Sequence, residues 1–258
     1  MKIRIFASGS SGNCLLLSGG GTHILIDAGI SMRRVEKALA RAGLTIRDIG
    51  GVLITHEHSD HISGLKMLLK YYAPPIYAPH TVAARICGMV PDAVDCMHVI
   101  PVGSPFDIGQ LQIRAFHTPH DTDESVGYRV EGEGCFAIAT DMGCVTEEVR
   151  DGLLGADLAL IESNHDLTML RDGAYPIYLK RRILSEHGHL SNADCARLAR
   201  QLAEAGTRSI VLGHLSRENN RPEIAFRETE AMLEGLGTRL YCAPADGELC
   251  LETEDVPC

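Results

Sequence analysis

The stretch GVLITHEHSDH, residues 51–61, decides how this chain is read. Its apolar opening, residues 51–54, suits a buried strand. The polar part then sets His56, His58, Asp60 and His61 within six residues. Alternation in an extended turn puts His56, His58 and Asp60 on one side, and His61 enters the following helix. Imidazole with carboxylate suits zinc, iron or manganese. One ion needs three of these groups, which leaves a position open for chemistry. The competing reading is a polar loop with incidental histidines. Such a loop seldom gathers three histidines and an aspartate at the end of a strand.

Working outward, four more apolar runs end in a ligand-capable side chain. They are Asp27 in ILIDAG, His120 in FHTPHDTD, Asp141 in AIATDMG and His214 in IVLGHLS. Converging strand ends are how open α/β sites are built. Strands are expected over 2–7, 14–17, 22–27, 51–55, 111–117, 125–130, 135–139, 158–161, 209–212, 239–242 and 248–251. Helices are expected over 31–42, 62–71, 80–87, 146–151, 177–186, 192–205 and 222–234. This order suggests two similar α/β halves, about 1–107 and 108–258, which form one domain over 1–258.

Composition narrows the class. The 258 residues are 45% hydrophobic and carry a formal charge of -10. That excludes a basic nucleic-acid-binding tail, a disordered chain and a small disulfide scaffold. No run reaches the roughly 18 apolar residues of a membrane-spanning helix. The first apolar run is too short for a signal peptide. The nine cysteines are odd in number and contain no CxxC pair, so neither full pairing nor a cysteine zinc cage is expected. A reducing cytoplasm is the expected location.

The HxHxDH pattern, with Asp27 before it and His120, Asp141 and His214 after it, resembles the metallo-β-lactamase superfamily over nearly the whole chain. The resemblance implies an α/β fold, a four-layer αββα sandwich with two mixed sheets face to face and helices outside. It implies that His56, His58 and His120 bind one divalent ion, and Asp60, His61 and His214 a second. Asp141 would bridge them, and Asp27 would orient the HxHxDH loop. His117 is the rival of His120. The strand should end near His117, and the following loop then carries His120 to the site. Zinc is favoured, with manganese or iron as alternatives.

The strings SGSSGN (8–13), ESNHD (162–166), GHLSN (188–192) and GHLSRENNRP (213–222) are similar to the YycJ/WalJ-like branch. That branch implies a dinuclear phosphodiesterase, a 5′-to-3′ exonuclease on double-stranded DNA with a metal-bridging hydroxide as nucleophile. Asp60 or Asp141 would hold the proton of that hydroxide. His189, placed 25 residues before His214, would contact the scissile phosphate. DNA is favoured over RNA as partner, with no membrane and no obligate protein partner.

Phosphate needs further donors. Ser191 and Asn192 open a helix, which suits an anion. Ser11 and Asn13 lie in a glycine-rich turn that reads equally as a plain hairpin. Lys180, Arg181 and Arg182, with Arg217 and Arg221, are basic, although the first three also read as a solvated helix face. His165 suits a substrate groove, an extra metal contact or a structural role. Glu162 is a candidate for orienting a ligand histidine, and Glu57 and Ser59 should face outward. Two divalent ions would more than offset Asp27, Asp60 and Asp141, so nucleic acid should bind at one basic-edged groove. The competing functions are hydrolysis of a small ester, thioester, lactone or cyclic phosphodiester, and a non-catalytic metal-binding module.

Overall fold

Apolar residues at alternate positions, buried on both faces, build the sheets. Leu15 and Leu17 point into the core between the sheets, while Cys14 and Leu16 point to helices outside. Leu158 and Leu160 alternate with Ala159 and Ile161 in the same way. The computed structural model describes residues 1–253, and Cys258 lies outside the described residues.

The first sheet contains β1 (Lys2–Ala7), β2 (Cys14–Gly19), β3 (Thr22–Ile26), β4 (Gly51–Leu53), β5 (Ile76–Ala78) and β6 (Met97–Val99). The second contains β7 (Pro105–Ile108), β8 (Leu111–His117), β9 (Val126–Gly132), β10 (Gly134–Ala139), β11 (Leu158–Glu162), β12 (Ser209–Gly213) and β13 (Arg239–Cys242). The last strand, β14 (Leu249–Glu252), returns to the first sheet beside β1. The strand orders are β14-β1-β2-β3-β4-β5-β6 and β13-β12-β11-β10-β9-β8-β7. Pairing is antiparallel from β14 to β3 and parallel from β3 to β6. It is antiparallel from β7 to β10 and parallel from β10 to β13. Each sheet therefore repeats the same plan.

The helices are α1 (Met32–Arg41), α2 (Ser59–Ile62), α3 (Leu65–Tyr72), α4 (His80–Met89), α5 (Glu147–Leu153), α6 (Leu167–Asp172), α7 (Ile177–Ile183), α8 (Asn192–Glu204) and α9 (Pro222–Leu233). Val35, Leu39, Leu68 and Val82 seat α1, α3 and α4 on the outer face of the first sheet. Val149, Leu198, Leu202 and Ala225 seat α5, α8 and α9 on the second. The layers are αββα. Tyr128 ties the sheets together: its buried hydroxyl donates to the Ile54 carbonyl at 2.6 Å, just before the HxHxDH loop.

Several elements differ from expectation. Strands β5, β6 and β7 and helix α6 had no sequence signal, because runs this short carry too little pattern to read. Strand β4 stops at Leu53 rather than Thr55. The helix expected over 62–71 is two helices. Gly64 separates them, its N–H bonded to the Ala28 carbonyl at 2.8 Å. Any Cβ there would lie 2.1 Å from the Ile30 carbonyl oxygen. Because β14 joins the first sheet, the division of the chain near 107 is not the division between the sheets. No helix among the described residues is long and apolar enough to cross a membrane.

Candidate metal centre

The C-terminal ends of the strands meet at one rim. Asp27 follows β3, His56 and His58 follow β4, Asp141 follows β10, Glu162 ends β11 and His214 follows β12. Asp27 organises this rim. Its Oδ1 accepts the Thr55 N–H at 2.9 Å, and its Oδ2 pairs with His61 Nδ1 at 2.7 Å. His61 Nε2 is thereby aimed at Asp141 Oδ2, 3.3 Å away, and Asp60 Oδ2, 3.4 Å away. Fixing one ring nitrogen to orient the other is how ligand histidines are held.

Two groups of donor atoms result. Those of His56, His58 and His120 lie within 4.8 Å of one another, and so do those of Asp60, His61 and His214. A third such group, His56, His61 and Asp141, joins the two, and a fourth gathers Asp141, Glu162, His189 and His214. His120 Nδ1 meets the Gly188 carbonyl at 3.2 Å, which turns Nε2 to the site. The side chain of His117 is 52% exposed and bonds Glu148 instead. Simple alternation fails for Asp60. The chain has already turned into α2 at Ser59, so Asp60 joins His61 and His214 rather than His56 and His58. Gly29 lets the loops close. A Cβ there would stand 1.6 Å from the Asp60 carbonyl oxygen, which accepts the Asn13 N–H at 2.7 Å.

The atoms left without partners fit metal ions. His56 Nε2, Asp141 Oδ2 and both ring nitrogens of His214 are buried with no hydrogen-bond partner among the described residues. His214 Nδ1 is 3.0 Å from Asp141 Oδ2, but not in hydrogen-bond alignment. Leaving such groups bare costs roughly 1–3 kcal/mol each, which coordination would offset. Burial pushes His56 and His120 below the usual imidazole range, so both are neutral and ready to ligate. Burial opposes charge on His61 and His214 too. There the Asp27 and Asp141 carboxylates win for His61, and Asp141 pushes His214 up to about 10. Asp141 itself is held well below the carboxylate range, because His214 and His61 outweigh its burial. The rim thus offers one imidazole pocket and one carboxylate-rich pocket, both suited to divalent cations.

Residues 22–215 match the family described as Beta-lactamase superfamily domain. The chain is 37% identical over 241 residues to the Exodeoxyribonuclease YycJ of Bacillus anthracis, covering 92% of this chain and 90% of that one. It is 37% identical over 230 residues to the Exodeoxyribonuclease WalJ of Streptococcus pneumoniae, covering 87% and 85%. The chain belongs to the YycJ/WalJ branch of the metallo-β-lactamase superfamily. Its fold is that of the metallo-β-lactamase fold protein YhfI from Bacillus subtilis, with a TM-score of 0.74, 17% identity and coverage of 97% and 99%.

In this YycJ/WalJ-branch chain the other candidates fall into two sets. His189 faces the rim, its Nδ1 bonded to Glu162 Oε1 at 2.7 Å. Glu162 is fully buried, and its Oε2 accepts the Met142 N–H at 2.9 Å and the Leu190 N–H at 3.1 Å. A cavity of about 170 Å³ beside His189 is lined by Ser10, Asp121, Tyr175, Arg182 and Ser216. Arg217, Arg221 and Ser11 are exposed, and Arg221 Nη1 donates to the Arg217 and Asn220 carbonyls at 3.0 and 2.7 Å. The second set is engaged within the fold. Ser191 caps α8, accepting the Asp194 N–H at 3.1 Å. Asn192 and Asn220 bond each other at 2.9 and 2.8 Å. Asn13 donates to Asp60 Oδ2 at 3.2 Å. His165 is buried, and neither ring nitrogen has a hydrogen-bond partner among the described residues. Ser59 is exposed as expected, but Glu57 is half-buried and accepts from Thr122 at 2.6 Å. Sequence reasoning missed Asp121. Its carboxylate lies 3.2 Å from His120 Nε2 and pairs with Arg182 on α7. The only signal was its place directly after His120.

Proposed function

We propose that this hydrolase of the superfamily is a dinuclear metal-dependent phosphodiesterase, a 5′-to-3′ exonuclease acting on double-stranded DNA. One observation carries the reading: His56, His58 and His120 and the group Asp60, His61 and His214 meet at Asp141. The names of the Bacillus anthracis and Streptococcus pneumoniae relatives support DNA as substrate. Bound there, two divalent ions, zinc favoured over manganese or iron, would lower the pKa of water toward neutrality and offset phosphodiester charge. Asp60 and Asp141 supply the carboxylates that hold the proton of the attacking water. Glu162 holds Nδ1 of His189 and favours its charged form, and in that imidazolium form Nε2–H is left to donate to a phosphate oxygen. Arg217 and Arg221 supply cations for the phosphodiester chain, and the exposed Ser11 supplies a hydroxyl donor. Ser191, Asn192, Asn13 and His165 shape the rim from within the fold.

The charge balance is tighter than three carboxylates suggest. Asp27, Asp60, Asp121, Asp141 and Glu162 bring five to the rim. Two divalent ions would offset four, and Arg182 meets the fifth. Phosphate binding therefore depends on metal loading and on Arg217 and Arg221.

The test is metal-loaded protein on 5′-labelled duplex DNA, single-stranded RNA, bis-p-nitrophenyl phosphate and nitrocefin. Stepwise loss of nucleotides from the duplex is expected. Nitrocefin turnover with inert DNA would overturn the reading. His58→Ala should lose both activity and metal, and His189→Ala should slow turnover about 100-fold while keeping its metal.

A further inference from the structure

Asp121 stands beside two of the three histidines of the first pocket, His58 and His120. Its Oδ1 is 3.2 Å from His120 Nε2 and 3.7 Å from His58 Nε2. Ligands at ~2.0–2.1 Å from one tetrahedral ion stand ~3.3–3.4 Å apart, so this oxygen has the spacing of a fellow ligand. Oδ1 is also buried with no hydrogen-bond partner among the described residues, as is His56 Nε2 across the pocket. A carboxylate oxygen this close to two imidazoles would ordinarily accept from one of them. Here the alignment is absent, and both sides keep free lone pairs. The other oxygen, Oδ2, is taken by the Arg182 guanidinium, which reaches in from α7. The two oxygens thus face opposite partners: the imidazole nitrogens of His58 and His120, and the Arg182 guanidinium.

Resting on the metal-site reading above, we infer that Asp121 is a further protein ligand of the ion held by His56, His58 and His120, and that Arg182 weakens its grip by binding its other oxygen. Guanidinium and metal ion compete for the same carboxylate charge. Removing Asp121 should loosen the first ion, whereas removing Arg182 should not. A plain structural ion pair predicts a different pattern, with both removals doing the same damage.

The experiment is a competitive chelator titration of zinc on the full chain, with cobalt absorption spectra of the first site. Asp121→Asn should weaken the more exposed first site about 10- to 100-fold and alter its cobalt bands. Arg182→Ala should bind zinc as tightly as the unmodified protein, or more tightly. The inference is overturned if Asp121→Asn keeps its affinity and spectrum, or if both variants weaken binding alike. His58→Ala separates the two levels. If it too binds zinc normally, the three-histidine site is wrong; if it binds poorly while Asp121→Asn binds normally, only the role of Asp121 is lost.

Discussion

Asp27, Asp141 and His214 hold φ at 60°, 56° and 53°, a left-handed conformation that costs a non-glycine residue roughly 1–2 kcal/mol. Asp27 and His214 stand directly after a strand and Asp141 one residue further, and the turn swings each side chain onto the rim. Among the described residues only Ala73 shares this conformation without glycine. Strain gathered at three site residues is what a site held by its surroundings looks like. His165 shows a different cost. Burial lowers its pKa to about 4, so it folds neutral and is charged in the unfolded chain below about 6.5. Its contribution is therefore complete above pH 6.5 and lost as the pH falls toward 4, on the order of 3 kcal/mol. Urea unfolding between pH 7.5 and 4.5 should show a steeper loss of stability for the unmodified protein than for His165→Leu. Parallel losses would refute this account.

At the scale of elements, the site depends on how closely the loops after β1, β3 and β4 approach. The Gly29 N–H donates to the Asn13 carbonyl at 2.8 Å, and Asn13 donates in turn to the Asp60 carbonyl. A methyl group at Gly29 would force these apart. Gly29→Ala should lower stability by about 1–3 kcal/mol, the usual cost of overpacking, and release metal from the Asp60–His61–His214 pocket. Equilibrium unfolding and metal analysis check this, and an unchanged variant would show that the loops can part freely. The same scale shows what the sequence made legible. Strands β1, β8 and β13 were read to the residue, because each carries an apolar pattern of its own. The three-residue strands β5 and β6 and the edge strand β7 were not, since their pairing is imposed by neighbours already in place.

For the whole molecule, the candidate metal centre lies between the sheets' rims, and its candidate ligands come from both. His56, His58, Asp60 and His61 follow a strand of the first sheet, while His120, Asp141 and His214 follow strands of the second. Ions bound there should stabilise the fold by mass action, about 4 kcal/mol at free metal a thousandfold above Kd. Removing metal with a chelator should lower Tm by roughly 10 °C, and adding zinc back should restore it. A Tm unmoved by chelation would mean that no ion bridges the sheets.

The seven candidate ligands were legible in sequence for a local reason. Each lies close after an apolar run, and strand ends are where such a fold gathers chemistry. The choice between His117 and His120 was nearly legible, since it turns on where β8 stops. The exact partners were not, although Glu162 was expected to orient a ligand histidine. Glu162 bonds His189 across 27 residues, Arg182 meets Asp121 across 61, and Asn192 pairs with Asn220 across 28. No periodicity records such pairs, because strand order and sheet packing bring them together. By itself, the sequence determined which side chains stand at the rim, through the burial of the strands that precede them. Only the tertiary structure decided which atom of each faces an ion and which faces a neighbour, because that choice is made by contacts between segments distant in the chain.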